Sequence, residues 1–201
     1  MAYKKGNQKN SNACLKKLGR LNIRISGSGG QGVISTGMLL GEAIAIGDGR
    51  NVSQSQSYGP EARGGATRAD VIVSDGEIYF PECNQLDILI VFTYEAYEKF
   101  AVQTKEEGLV IADESAVDVL VGSAKTVPVP FIRIAEKDFG RPIVANIIAL
   151  GFLATYTKIV SQLSLQEVVT EQFEGSSHLE LNLKALEVGF KQGAKYAKKE
   201  I

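Results

Sequence analysis

Two short stretches carry the residue types that could do chemistry. The first, "GSGGQG", places Gly27, Gly29 and Gly32 in a G-x-G-x-x-G pattern with Gly30 and Gln31 between them. Glycines in that pattern permit a tight turn and the close approach of a ligand, and free amides at a helix start attract negative charge. Position alone leaves two readings open, a phosphate or carboxylate site and a purely structural crossover. The second stretch, "SYGPEARGG", runs from Ser57 through Tyr58, Gly59, Pro60, Glu61, Arg63 and Gly64 to Gly65. Pro60 lacks an amide donor and Gly64-Gly65 disfavour regular structure, so it reads as an ordered loop of the kind that holds a ligand or a partner. Arg63 offers a planar fork suited to a carboxylate or phosphate. Glu61 has no neighbouring His, metal site or nucleophile to make it a general base, and Tyr58 suits a packed interface or a ring stack.

Several familiar chemistries are missing from the set. A dinucleotide site places an acid at the end of the second strand, but that region reads "NVSQSQSYG". Asp48 lies earlier, in "GDGR". Gly47 to Gly49 resemble the start of a thiamine-diphosphate motif, yet no "NN" follows to complete a magnesium site, and the segment reads as a helix C-cap and turn. His178, the single histidine, falls at the start of the last helix in a capping or surface position. Cys14 and Cys83 form neither a CxxC pair nor a disulfide framework, which argues against an iron–sulfur or zinc site built by this chain alone and fits a reducing cytoplasm.

The elements that must position these residues follow from periodicity. "RLNIRIS" alternates as a strand, the glycine turn follows, and "VISTGMLLGEAIAIG" reads as a helix: the opening unit of a nucleotide-binding α/β domain. "RNVSQSQ" is a second strand. "TRADVIVSDGEIYFP" predicts a β-hairpin turning at Asp75-Gly76. "DILIVF", "GLVIAD" and "TVPVPFIRIA" supply further strands, with Pro128 and Pro130 pushing the last towards a sheet edge or strand start, and "TYEAYEKFAVQ" is a helix. Three helices close the chain. The first begins near Pro142, the second follows a Ser164-to-Glu167 capping-box spacing, and the third follows Ser177 to Glu180 with Leu179, Leu183, Leu186 and Phe190 on one face. The expected fold class is α/β: a three-layer Rossmann-like domain, mostly parallel sheet with an added β-hairpin and C-terminal helices.

Composition sets the remaining bounds. With 201 residues and no Pro/Ser-rich linker, the chain predicts a flexible basic N-terminal arm over residues 1–20 and a single domain over 21–201. A net charge of −1 gives no field to draw nucleic acid or anionic lipid. "IVANIIALGFLA" is too short for a membrane span and contains Asn146, so it reads as a buried helix.

"ISGSGGQGVISTGMLLGEAI", "QSQSYGPEARGGATRADVIVSDGEI" and "FPECNQLDILIVF" together closely resemble the gamma subunit of 2-oxoacid:ferredoxin (acceptor) oxidoreductases, over nearly the whole chain from about Leu21. The "SYGPEARGG" form is most similar to the 2-oxoglutarate-specific members. The resemblance implies oxidative decarboxylation of a 2-oxoacid with coenzyme A to an acyl-CoA, carbon dioxide and two electrons for ferredoxin or a similar acceptor. It places thiamine diphosphate and magnesium on alpha and beta subunits, and iron–sulfur clusters on other chains such as a ferredoxin-like delta subunit, with no cofactor held by this chain alone. With the turn and the loop together at the carboxyl ends of adjacent strands, where open α/β sheets bind ligands, Gly29, Gly30, Gln31, Tyr58, Glu61 and Arg63 are expected to line a surface that faces the thiamine-bearing chains and helps form the channel for coenzyme A or substrate. The isolated chain would then expose apolar surface that drives self-association, up to a homodimer. Two readings compete with this one: an adenylating enzyme with a similar glycine turn, and a free-standing nucleotide-binding module.

Overall fold

The alternation in "RLNIRISG" makes β1 (Arg20–Gly27), which sends Ile23 and Ile25 to one face of a sheet and Arg24 and Ser26 to the other. The computed structural model describes residues 19–57 and 66–199. After β1 come α1 (Val33–Glu42), β2 (Asn51–Ser57), β3 (Thr67–Ser74), β4 (Leu86–Val91) and α2 (Tyr94–Ala101). They are followed by β5 (Thr104–Asp113), β6 (Lys125–Val129), α3 (Phe131–Phe139), α4 (Ala145–Thr157), α5 (Gln162–Phe173) and α6 (Leu179–Lys198). The six strands form one sheet in the order β2-β3-β1-β4-β5-β6. β1, β4, β5 and β6 run parallel, and β3 is antiparallel to both β1 and β2.

The expected three layers are present. One face carries α1 and α4 over a core of Ile23, Ile25, Val71, Ile90 and Ile111, while the other packs α2 through Tyr97 and Phe100 against Leu89, Val91 and Val110. α4 is buried from Ala145 to Ala154 and apolar there except for Asn146. No helix among the described residues is long and apolar enough to cross a membrane.

The antiparallel hairpin is built by β2 and β3, not around Asp75-Gly76. Ser74 is the register partner of Arg20 on one side and of Asn51 on the other, so both edges of β3 are taken and residues 77–81 cannot pair back onto it. Asp75 instead accepts the Gly19 amide at 3.0 Å, and the Asn51 side chain donates to Gly76 O. The "TVPVPFIRIA" strand ends at Val129, and the helix α3 replaces its second half. Pro128 does lie in an edge strand, β6. Neither expected capping box forms. Ser161, not Ser164, caps α5, accepting the Ser164 amide at 2.9 Å, and α6 starts after His178 with no side-chain cap.

Gly47 to Gly49 end a helix as expected: α1 widens into a π turn over Ala43–Gly47 and stops at Asp48. The Asp48 carboxylate accepts the Ser161 amide at 3.0 Å and the Ser164 hydroxyl at 2.8 Å, so it anchors the start of α5. A Cβ on Gly47 would lie 2.3 Å from Ser164. Asp48 is thus occupied as a structural acceptor and is not placed as a magnesium ligand.

Candidate functional site at the carboxyl edge of the sheet

β1 ends at Gly27 and passes straight into the glycine turn. The turn folds on itself, with the Gln31 amide donating to Ser28 O at 3.3 Å and the Ser28 amide donating to Gln31 Oε1 at 2.7 Å. Gln31 therefore closes the turn from within. Gly32 adopts φ 72°, a left-handed conformation that favours glycine, and its carbonyl starts α1 by accepting both the amide (2.9 Å) and the hydroxyl (2.8 Å) of Thr36.

The glycines divide by what lies beyond them. A Cβ on Gly27 would meet Gln31 Oε1 at 2.4 Å and Phe92 Cβ at 3.3 Å, and one on Gly32 would meet Asn146 Nδ2 at 2.2 Å. Those two are needed for packing. At Gly29 and Gly30 a Cβ would meet nothing within 4 Å, and Gly30 has φ 86°. The outer side of the turn is open, the first turn of α1 holds no acid, and its leading amides have no intrahelical partner. That arrangement can receive an anionic group.

The second expected stretch converges on the same edge. Gly27 is the register partner of Thr67 and Ser26 that of Arg68, while Ser57 also pairs with Arg68. Both ends of the loop are therefore delivered beside the glycine turn. They come from β2 and β3, and β3 lies between β2 and β1, so the expected adjacency of the two strands is corrected to a one-strand offset. Tyr58, Gly59, Pro60, Glu61, Arg63, Gly64 and Gly65 lie outside the described residues.

Two contributors were not singled out from the sequence. Asn146, buried at the start of α4, places its Nδ2 3.5 Å from Gly32 O and accepts the Ile147 amide on Oδ1 at 2.7 Å, joining two helix N-termini. Its signal was legible as the lone polar residue in "IVANIIALGF". Asp113, at the end of β5, accepts amides from Ser115 (3.0 Å) and Ile132 (2.8 Å) and is buried as a double cap. His178 is exposed, with Nδ1 3.4 Å from Arg141 Nη1.

Behind the site, Arg24 and Asp70 face each other across β1 and β3 as register partners, 2 % and 5 % exposed. Arg24 donates twice to Asp70 at 2.6 and 2.8 Å, and also to Gln103 Oε1 and Cys83 O, with its guanidinium 4.8 Å above the Phe100 ring. A fully bonded buried pair of this kind suits a register lock better than a source of net stability. Burial pushes the neighbouring Cys83 thiol up to about 12, the charge of Asp70 adds to the shift, and Arg24 opposes it. A thiol held protonated is a poor cluster ligand, because the thiolate is the ligating form. The raised pKa also fixes a sign: stability from this group is complete below the unfolded thiol pKa and is lost as pH rises through it towards 12. In a Cys14→Ser chain at about pH 8, Cys83 should stay unmodified by Ellman's reagent until denaturant is added. Labelling of the native chain at the rate of a free thiol would contradict this placement. Among the described residues, no three His, Cys, Asp or Glu side chains come together as a metal site.

Fold and site define a Rossmann-like α/β protein with an open glycine turn at the carboxyl edge of its sheet and, among the described residues, no metal set. The chain belongs to the pyruvate ferredoxin/flavodoxin oxidoreductase family, which matches residues 22–192. It is 44% identical over 181 residues to the 2-oxoglutarate synthase subunit KorC of Archaeoglobus fulgidus, covering 90% of this chain and 92% of that one. A keto/oxoacid ferredoxin oxidoreductase gamma subunit from Geobacter sulfurreducens superposes with a TM-score of 0.79 at 40% identity, covering 89% of this chain and 98% of that one. The 2-oxoglutarate:ferredoxin oxidoreductase of Magnetococcus marinus, solved with 2-oxoglutarate, coenzyme A and succinyl-CoA, superposes with a TM-score of 0.77 at 28% identity over 89% of this chain and 31% of that chain.

Proposed function

We propose that this chain is the gamma subunit of a 2-oxoglutarate:ferredoxin oxidoreductase, in which 2-oxoglutarate and coenzyme A yield succinyl-CoA, carbon dioxide and two electrons for ferredoxin or a similar acceptor. The observation that carries the reading is the convergence of the open Gly29-Gly30 turn and both ends of the 57–65 loop on one sheet edge. Open α/β sheets bind ligands at that edge. The KorC relatives and the Magnetococcus marinus enzyme support 2-oxoglutarate as the substrate.

Thiamine diphosphate supplies the carbanion chemistry from alpha and beta subunits, and iron–sulfur clusters on a delta-type subunit carry the electrons. Among the described residues, Asp48 is committed to α5 and Cys83 is buried with its thiol pKa raised, so neither is placed for these roles. The part of this chain is to form one wall of the channel. The leading amides of α1 donate to an anionic portion of coenzyme A or substrate, Gly29 and Gly30 let it approach the backbone, and Arg63 offers a second contact, a cationic one.

A tagged copy purified from its own cells should bring thiamine-binding and ferredoxin-like chains with it, and the eluate should reduce viologen only when 2-oxoglutarate and coenzyme A are both present. Recovery of the chain alone, inactive and binding adenine nucleotide tightly, would replace this reading with the free-standing nucleotide-binding one.

A further inference from the structure

We infer that Asn146 is a positioning residue for the glycine turn: from α4 it holds the Gly32 carbonyl and so sets the direction in which the leading amides of α1 point. The role rests on the proposed function above, in which that turn receives an anionic portion of coenzyme A or 2-oxoglutarate.

Asn146 stands where the chain is otherwise apolar. Every other residue from Ala145 to Ala154 lacks a polar side chain, and Asn146 itself is only 7% exposed. Asparagine is a weak helix former, and a buried polar side chain destabilises a fold unless its hydrogen bonds are made. Both ends of this amide are engaged. Oδ1 accepts the Ile147 amide at 2.7 Å, which orients the group and leaves Nδ2 turned to Gly32 O at 3.5 Å. Ile143, three residues earlier, lays its Cδ1 3.5 Å from where a Gly32 Cβ would sit. The start of α4 thus closes on Gly32 with one polar and one apolar contact.

The Gly32 carbonyl does not need Asn146 to be satisfied. It already accepts the Thr36 amide at 2.9 Å and the Thr36 hydroxyl at 2.8 Å, two donors for two lone pairs. A third donor at 3.5 Å adds little as a bond. What it adds is direction. Thr36 holds the carbonyl from within α1, whereas Asn146 holds it from a separate helix, so the peptide is fixed from two sides. In a planar trans peptide the C=O and the following N–H point opposite ways, so fixing Gly32 O fixes the Val33 N–H, the first α1 amide without an intrahelical partner. Gly30 and Gly32 have positive φ, 86° and 72°, and glycine is the residue with the widest backbone freedom. A turn built from them is aimed by its neighbours. Amides aimed in advance bind an anion without first losing that freedom.

The test uses the complex assembled with the full chain. N146S keeps an oxygen that can accept the Ile147 amide but is too short to reach Gly32, and N146L fills a similar volume with no polar atom. Each should assemble as the wild type does. Each should raise about tenfold both the KM and the calorimetric Kd of the substrate whose binding Gly29→Val also weakens, with kcat within about twofold. A residue that acts through the turn has nothing left to aim once the turn is blocked, so adding N146S to Gly29→Val should weaken binding by less than about twofold more. A purely packing role would instead lower the melting temperature and the yield of complex and leave KM and Kd as they are, which overturns the inference. So does a change confined to the other substrate, or full additivity with Gly29→Val, and in all three cases an active wild-type complex keeps the functional reading intact. A wild-type complex with no activity dependent on 2-oxoglutarate and coenzyme A overturns both.

Discussion

Replacing Gly189 with leucine is expected to destabilise the folded chain by at least about 3 kcal/mol, read as a lower urea midpoint with an unchanged slope. α4 and α6 cross with their backbones in contact, and glycines on both sides make that approach feasible. A Cβ on Gly189 would lie 2.2 Å from Ile148 O and 2.9 Å from Phe152 N; one on Gly151 would lie 2.3 Å from Leu186 O, and one on Gly193 2.7 Å from Phe152 O. The obstacles are mainly backbone atoms, which cannot rotate aside as a side chain can, so α6 must move away. The cost is large against a total stability of about 5–15 kcal/mol. Displacing α6 also disturbs α4, whose first turn carries Asn146 onto Gly32. A Gly189→Leu chain with the wild-type midpoint would show that the two helices do not meet this closely.

That contact illustrates why parts of the fold were legible and others were not. The strand–glycine turn–helix unit, the buried α4 and the edge position of Pro128 follow from local periodicity and backbone chemistry, and all three stand in the structure. The Asp75-Gly76 signal was equally local but misled, because the decision lay with register: β3 was already paired on both edges, and no window of sequence contains that fact. α3 failed for a related reason. Its first turn is held by the Asp113 carboxylate on the Ile132 amide, a contact across 19 residues, so "PFIRIA" read as a continuation of strand. Gln31 shows the same limit at the site. Its type and position suggested a ligand contact, and its observed hydrogen bond is to Ser28 inside the turn. The sequence exposed the turn as a unit; which glycines serve packing and which face outward needed Phe92 and Asn146 in place.

The division of the glycines leads to the largest functional effect. Gly29→Val should leave the fold and assembly intact, because a Cβ there meets nothing within 4 Å and its φ lies outside the positive region. Introduced into the complex, it should lower succinyl-CoA formation by about a hundredfold, since a branched side chain on the open side of the turn keeps an anionic ligand from reaching the backbone amides. The loss should appear mainly in the KM for coenzyme A or 2-oxoglutarate if binding alone is blocked, and in kcat if the turn also orients the reacting group. Arg63→Ala provides the independent arm. Removing one charge-assisted contact is worth about 1.5–3 kcal/mol, or roughly tenfold to a hundredfold in the same parameter. If both substitutions weaken the same substrate, turn and loop serve one channel. If Arg63→Ala instead releases the chain from its complex while Gly29→Val spares assembly, the loop is a docking element and the turn alone meets the ligand. Unchanged assembly and unchanged kinetics in both variants would remove the carboxyl edge from the reaction altogether.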